Sequence, residues 1–356
     1  MFELVQESLA RILDDHAGAP GAAVGSPQAA RRLLGTLEEA GMLDVLAGWD
    51  GETPPIAWRD GAALFTLLGE KAPDGPVAEV ILGRALVAAA AGVPVSALTV
   101  AATASASLQV ADAGGKPVIT GTLQVPWNEI AEGVVVPVQT TSGWRIAVIA
   151  RELAKATSGA ADGRDSRGEP RGEWTFEGAE PAQWLEWKAT TDARLPGAAM
   201  RAAQIGGAMK AALALSMQYA SDRVQFARPI SKNQAIQHNL ALMAEHAALT
   251  GSAARLAWAE DGPCGSAWRV ASAKGLASDL AGEVAAIAHA VHGAIGFTGD
   301  YALHHLTRRL WQWRSEDGGA ATWHTVVGEL AGEHSARSTD PTTGLWARIV
   351  TETSVA

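Results

Sequence analysis

Residues 223–237, RVQFARPISKNQAIQ, crowd cations, an aromatic ring and two amides into one short stretch. Arg223 and Arg228 lie five residues apart, and Pro229 breaks any helix that carries them. Gln234 and Gln237 follow three apart, so a helix starting there presents both on one face. A guanidinium suits a diphosphate, and a carboxamide suits the edge of an adenine. The plainer account is a solvated helix end in which Asp222 pairs with a nearby arginine. On these residues alone both accounts stand.

Other chemistry-bearing residues say less. Among nine histidines, His304 and His305 are adjacent, so a helix turns them to different faces, and no His-Glu-x-x-His occurs. No metal site is expected. Gly293, Gly296 and Gly299 are spaced by threes but flanked by helical patterns, unlike the strand–turn–helix of a dinucleotide fingerprint. Gly114-Gly115-Lys116 reads as a hairpin turn. Cys264, in Gly-Pro-Cys-Gly, has no partner pattern for nucleophilic catalysis and reads as a loop residue.

The elements that must position these residues fall into three regions. Residues 1–94 carry Leu4, Leu9, Leu13 and then Leu33, Leu37 and Leu43 at near-helical intervals, with Gly and Pro clusters at 18–27 and 50–55 as connections. Residues 95–187 change to short runs rich in Val, Thr and Ile, such as GKPVITGTLQVPW and WRIAVIA, which read as an all-β domain. Trp127, Trp144, Trp174, Trp184 and Trp187 fall in or beside it and suit a small aromatic β-core. The glycine-rich, charged piece 159–173 reads as an exposed loop. Residues 188–356 turn helical again, with four long helices near 196–220, 231–259, 268–291 and 301–313 that suggest an antiparallel bundle. Leu213 and Met217 share a face of the first. Ile236, Leu240 and Met243 predict a core-facing stripe on the second, and Leu303, Leu306 and Leu310 one on the last.

Bulk properties narrow the function. The chain of 356 residues exceeds one compact core, and its formal charge of −10, with no clustered Lys and Arg, argues against nucleic acid. A single cysteine excludes an intramolecular disulfide and fits a reducing cytoplasm. The acidic start, MFELVQESLARILDDHAGAP, is unlike a signal peptide, and the apolar stretch 78–110 is cut by Gly92 and Pro94, so no membrane span is expected.

Residues 208–244 closely resemble the bundle domain of the acyl-CoA dehydrogenase family. That family has a helix ending in Arg-x-x-Phe-Gly, then Pro-Ile or similar, then a glutamine eleven residues after the arginine. Here Arg223, Phe226 and Gln234 take those places, with Ala227 for the glycine. HGAIGFTGDYALHHLTRRL (292–310) is similar to the family's Gly-Gly-x-Gly-Phe segment and its last long helix. The resemblance implies an α+β multidomain fold: an N-terminal helical domain (1–94), a middle β-barrel-like domain (95–187) and a C-terminal four-helix bundle (188–356). It implies FAD as cofactor, an acyl-CoA as substrate and an electron-transfer flavoprotein as a candidate acceptor. Arg223 and Phe226 would contact the phosphate and ring region of a neighbouring subunit's flavin, Gln234 the adenine side, and Gly293 with Ala294 would form the second dinucleotide segment.

The family pattern also marks departures. The flavin-gripping Thr-Glu-Pro-x-x-Gly-Ser-Asp type segment is replaced by VAATASASLQVAD. Ala290 stands where a glutamine is usual, and Ala294 puts a methyl where a second glycine admits a phosphate. The general base, usually a glutamate before Gly-Thr, corresponds to Asp317, about 1.5 Å shorter in reach, with Glu316 one residue out of register. The alternative base position, on the first bundle helix, is Gly197. Asp317 also suits a plain helix end before a Gly-Gly cap. Groups that serve a neighbour's flavin persist while those for the chain's own have eroded, which points to one subunit of an α2β2 acyl-CoA dehydrogenase of the steroid or fatty acyl type. A flavin-binding structural subunit and a nitroalkane oxidase or flavin monooxygenase relative are the competing readings.

Overall fold

The architecture comes from a computed structural model that describes residues 2–17, 25–49, 53–96, 98–102, 108–156, 170–188, 191–260, 262–263, 265–337 and 350. The expected loop at 159–173 falls mostly, and Cys264 wholly, outside the described residues. Four helices open the chain: α1 (Phe2–Asp15), α2 (Pro27–Glu39), α3 (Gly61–Lys71) and α4 (Val77–Ala89). Eight strands follow: β1 (Thr99–Ala101), β2 (Gln109–Asp112), β3 (Pro117–Pro126), β4 (Gly133–Thr140), β5 (Gly143–Ala150), β6 (Lys155–Ala156), β7 (Arg171–Ala179) and β8 (Gln183–Glu186). Then come α5 (Leu195–Asp222), the two-residue strands β9 (Val224–Gln225) and β10 (Arg228–Pro229), α6 (Gln234–Ala257), α7 (Ala267–His292), α8 (Leu303–Trp313) and α9 (Ala320–Arg337).

Two compact units emerge. The first holds α1, α2, α4 and the strands β1–β8. Leu9 and Leu13 of α1 and Leu33 and Leu37 of α2 are buried, whereas Leu4 is exposed. Ser26 caps α2 by accepting from the Ala29 N–H, with Pro27 in the first turn. Buried Arg84 of α4 donates to Glu38 at 2.8 Å and to Asp44 at 2.6 Å. The strands form two four-stranded sheets, ordered β1-β4-β5-β8 and β2-β3-β7-β6. Among the described residues only the β1–β4 pair is parallel. Gly114 and Gly115, both at positive φ, turn the β2–β3 hairpin as their sequence suggests. Trp127, Trp174 and Trp187 are buried here, and Trp144 and Trp184 are half-buried.

The second unit gathers α3 with the helices from residue 198 onward. Glycines make that association close. A Cβ on Gly69 would stand 2.1 Å from the Gln204 carbonyl oxygen, and one on Gly207 would stand 2.0 Å from that of Thr66, so α3 and α5 meet backbone to backbone. The ring of Trp258 covers Gly61 and lies 5.3 Å from that of Phe65. α7 is long and apolar enough to cross a membrane by composition. Its Val270, Ala273, Ala277, Ala281, Val284 and Ala288 are nevertheless buried in the unit, as in the core helix of a bundle.

Two expectations change. α9 is a further helix beyond the four foreseen, hidden in sequence by Gly328 and Gly332, with Trp323 as its large buried anchor. Of the stripe on α6 only Met243 is buried, while Ile236 and Leu240 are half-buried, because this end of α6 has little of the unit packed over it. Met217 of α5 is likewise 53% exposed. Leu303, Leu306 and Leu310 of α8 are all buried.

Candidate functional site

The RVQFARPISKNQAIQ stretch folds into a tight hairpin between two long helices. β9 and β10 pair Gln225 with Arg228 and Val224 with Pro229, which leaves Phe226 and Ala227 as a two-residue turn. Both have positive φ, 50° and 62°. Such a turn ordinarily takes Asn-Gly, and each non-glycine residue in the left-handed region costs on the order of 1 kcal/mol. The Ile230 N–H donates to the Arg223 carbonyl at 2.8 Å and closes the hairpin. Asn233 caps α6 by accepting from the Ala235 N–H.

Phe226, on this turn, is 97% exposed. The guanidiniums of Arg223 and Arg228 are exposed, and among the described residues neither makes an ion pair or side-chain hydrogen bond. Among the described residues Asp222 does not pair with an arginine: its carboxylate accepts from the Gln218 amide at 2.8 Å, one helical turn back, so the helix end is solvated but lacks the ion pair expected there. The two glutamines separate in role. Gln237 donates to the Ser231 carbonyl and braces the turn. Gln234 is exposed, and its carboxamide has no partner among the described residues.

The segment that the resemblance assigns as the second to meet a dinucleotide follows α7. Gly293 takes φ 64° and ends the helix, a conformation that favours glycine, and Ala294 is exposed beside it. Phe297 is 71% exposed and stacks on His289, with ring centroids 4.1 Å apart. His292 is buried against Tyr219, at 4.7 Å, and Tyr301. Burial lowers the pKa of both histidines. His304 and His305 do not diverge: their rings lie 3.9 Å apart, since adjacent long side chains can lean together across a helix surface. Burial, with His304 and two arginines adding to it, pushes His305 down to about 4. Among the described residues no group of three His, Cys, Asp or Glu has the geometry of a metal site.

Asp317 sits in the turn between α8 and α9, at φ 51°, followed by Gly318 at φ 89°. Its carboxylate Oδ2 accepts from the Arg201 Nε at 3.2 Å, and Glu316 Oε2 lies 2.8 Å from the Arg201 Nη2. Arg201, on the first bundle helix one turn beyond Gly197, is 3% exposed. Its Nη1 donates to Gln204 at 2.7 Å, and the Trp313 ring lies 6.0 Å away. Two buried donors hold the turn: the Trp323 indole N–H reaches the Asp317 carbonyl at 2.8 Å, and the Lys274 ammonium reaches those of Arg314 and Gly318. A Cβ on Gly318 would fall 2.5 Å from the Trp323 nitrogen, so glycine is required there. Lys274 is fully buried, and burial pushes it down to about 7 against the opposing pull of Asp317.

The sequence singled out Asp317 but not Arg201, Lys274 and Trp323, which the structure brings to its turn. A lone arginine in LPGAAMRAAQIGGA and a lone lysine in VASAKGLAS, each inside an apolar helix, were the available signals.

Comparison with known proteins extends these findings. Residues 187–318 match the family described as acyl-CoA dehydrogenase, C-terminal domain. A probable acyl-CoA dehydrogenase, YngJ, of Bacillus subtilis is 36% identical over 103 residues, which cover 29% of this chain and 27% of that protein. One solved structure of similar fold is the ChsE4-ChsE5 complex from Mycobacterium tuberculosis, with TM-score 0.73 and 23% identity over 93% of this chain and 97% of the other. Another is the Tcur3481-Tcur3483 steroid ACAD G363A variant, with TM-score 0.76 and 20% identity over 94% and 98%. The chain has the fold of the acyl-CoA dehydrogenase structures, its residues 187–318 match the model of that family's C-terminal domain, and the match spans about a quarter of the length of the curated relative.

Proposed function

We propose that this chain is a subunit of an FAD-dependent acyl-CoA dehydrogenase and that it lends a dinucleotide-binding arm to a paralogous partner subunit. One observation carries the reading: Phe226, 97% exposed on a left-handed turn, stands between two guanidiniums that have no partner among the described residues. Strain and exposure of this kind persist where a bound group later covers them.

The donor set fits the tail of the cofactor. Arg223 offers a charged fork to a diphosphate, Phe226 a ring face, and Gln234 a carboxamide that can both donate to and accept from an adenine edge. Gly293 leaves its backbone open to approach, although the methyl of Ala294 narrows the next step. In VAATASASLQVAD (100–112), which stands where the family grips its own flavin, residues 103–107 lie outside the described residues, so the fit rests on the arm.

When bound, the cofactor supplies the acceptor for the β-hydride of an acyl-CoA. Asp317 takes the α-proton onto a carboxylate oxygen, while the electron pair of the broken C–H bond forms the new double bond. Arg201 orients that carboxylate, and the same ion pair makes the proton transfer conditional on Asp317 turning toward substrate. This conditionality favours a second reading, in which the chain shapes and completes its partner's site without turning over at its own. Two likenesses support the heteromer: the ChsE4-ChsE5 structure is a complex of two named components, and the Tcur3481-Tcur3483 protein is described as a steroid ACAD. A steroid acyl-CoA is accordingly the first substrate class to try.

The test is Arg223→Ala in the complex co-expressed with its paralogue. Loss of a charged hydrogen bond, worth about 1.5–3 kcal/mol, should weaken flavin retention by roughly 10- to 100-fold. Flavin retained to the same extent through dialysis, followed by its absorbance, would overturn the arm.

A further inference from the structure

Arg201 is a buried cation that meets two neighbouring carboxylates at once. Glu316 lies 2.8 Å from its Nη2 and Asp317 3.2 Å from its Nε, so the two acids meet different nitrogens of one guanidinium and do not compete for the same one. Gln204 takes the remaining Nη1. A base that accepts a proton becomes neutral and stops compensating its counter-ion. With a single carboxylate, that step would take away the negative charge facing the buried guanidinium, which is costly for a charge away from water.

We propose that Glu316 is the standby counter-ion of Arg201, a positioning residue that keeps a carboxylate charge on the buried guanidinium while Asp317 gains a proton. The inference rests on the reading of Asp317 as the base. Arg201 is 3% exposed and both carboxylate oxygens of Glu316 are buried with it, while the Asp317 side chain is 17% exposed, so the charges meet away from water. The backbone of the turn is held by Lys274 and Trp323, which bind its carbonyls and not the carboxylates. Asp317 can therefore lose its charge without dragging the backbone with it. The adjacency that looks like a register slip in sequence, Glu-Asp before Gly-Gly, then has a purpose: two acids in succession reach one arginine from one turn.

A double-substitution cycle on the chain without flavin tests this directly. Asp317→Asn imitates the protonated carboxyl, and Glu316→Gln removes the standby. Each alone should lower Tm by only about 2–4 °C. The two together should cost far more than their sum, because Arg201 then keeps its charge with neither acid. Asp317→Asn with Glu316→Asp, which retains a carboxylate, should recover most of that loss. A double variant that unfolds while both single variants fold counts as the same result. Strict additivity overturns the proposal. In the flavin-loaded complex, Glu316→Gln should lower kcat with little change in KM, Glu316→Asp should restore it, and an unchanged kcat also overturns the proposal. Arg223→Ala reports only on flavin retention, so failure of the arm and failure of the standby are separately visible.

Discussion

Lys274 carries a cost that depends on pH. It lies fully buried on α7 with its ammonium on Ser278 and on the carbonyls of Arg314 and Gly318. Burial lowers it from 10.5 to about 7, Asp317 and Glu316 pull it up, and Arg201 and Arg314 push it down. The unfolded chain thus holds this proton more tightly than the folded one. Below about 7 both states carry it and the cost of burying the charge is complete; between about 7 and 10.5 that cost is progressively relieved. The contribution of Lys274 should therefore make Tm climb with pH across that window, and Lys274→Met should flatten the climb. Calorimetric scans of both proteins in matched buffers check this, and parallel Tm–pH curves would refute it. At this scale the sequence was legible where partners are neighbours. Arg223, Phe226 and Gln234 declare themselves within one short segment, whereas Arg201 reaches Asp317 across 116 positions and Lys274 reaches Gly318 across 44. No periodicity links such residues; only the folded turn does.

Elements became legible in proportion to how much of their surface is covered by the chain itself. α8 is buried along Leu303, Leu306 and Leu310, and its stripe predicts it well. α6 misleads, because its pattern is that of a covered helix while Ile236 and Leu240 stay half-buried. α9 escaped notice because its glycines blunt the pattern. The crossing of α3 and α5 was also invisible, since glycines read as loop formers until a neighbouring backbone is seen at their Cα atoms. That crossing yields a prediction. Gly207→Ala would drive a methyl to 2.0 Å from the Thr66 carbonyl and 2.8 Å from the Glu70 nitrogen, both backbone atoms that cannot swing aside. The helices must separate, at about 1–3 kcal/mol for an overpacked contact. Gly328→Ala, with nothing within 4 Å of its Cβ, is the control and should hold or raise Tm. Equal Tm values for the two variants would show that the crossing tolerates a side chain.

For the molecule as a whole, the question is what covers the second unit. Met217, Val224, Phe226, Leu249, Ile295 and Phe297, all from this unit, are exposed, although the chain carries a formal charge of −10 that would otherwise favour a well-solvated surface. Apolar side chains left uncovered beside guanidiniums without partners suit a surface completed by another chain and its dinucleotide. The proposed heteromer makes this measurable. Expressed alone, the chain should bind little flavin. Expressed with a paralogous acyl-CoA dehydrogenase subunit, it should purify as a complex of equal parts with flavin absorbance. Light scattering gives the mass, and anaerobic bleaching by steroid and by fatty acyl-CoA gives the substrate class. Phe226→Ala should loosen that assembly by about 1.5–3 kcal/mol, the value of one buried aromatic side chain. A yellow homodimer of this chain alone, fully loaded and active on acyl-CoA, would rule out the division of labour, because Asp317 would then be working as a base within its own subunit without any paralogue.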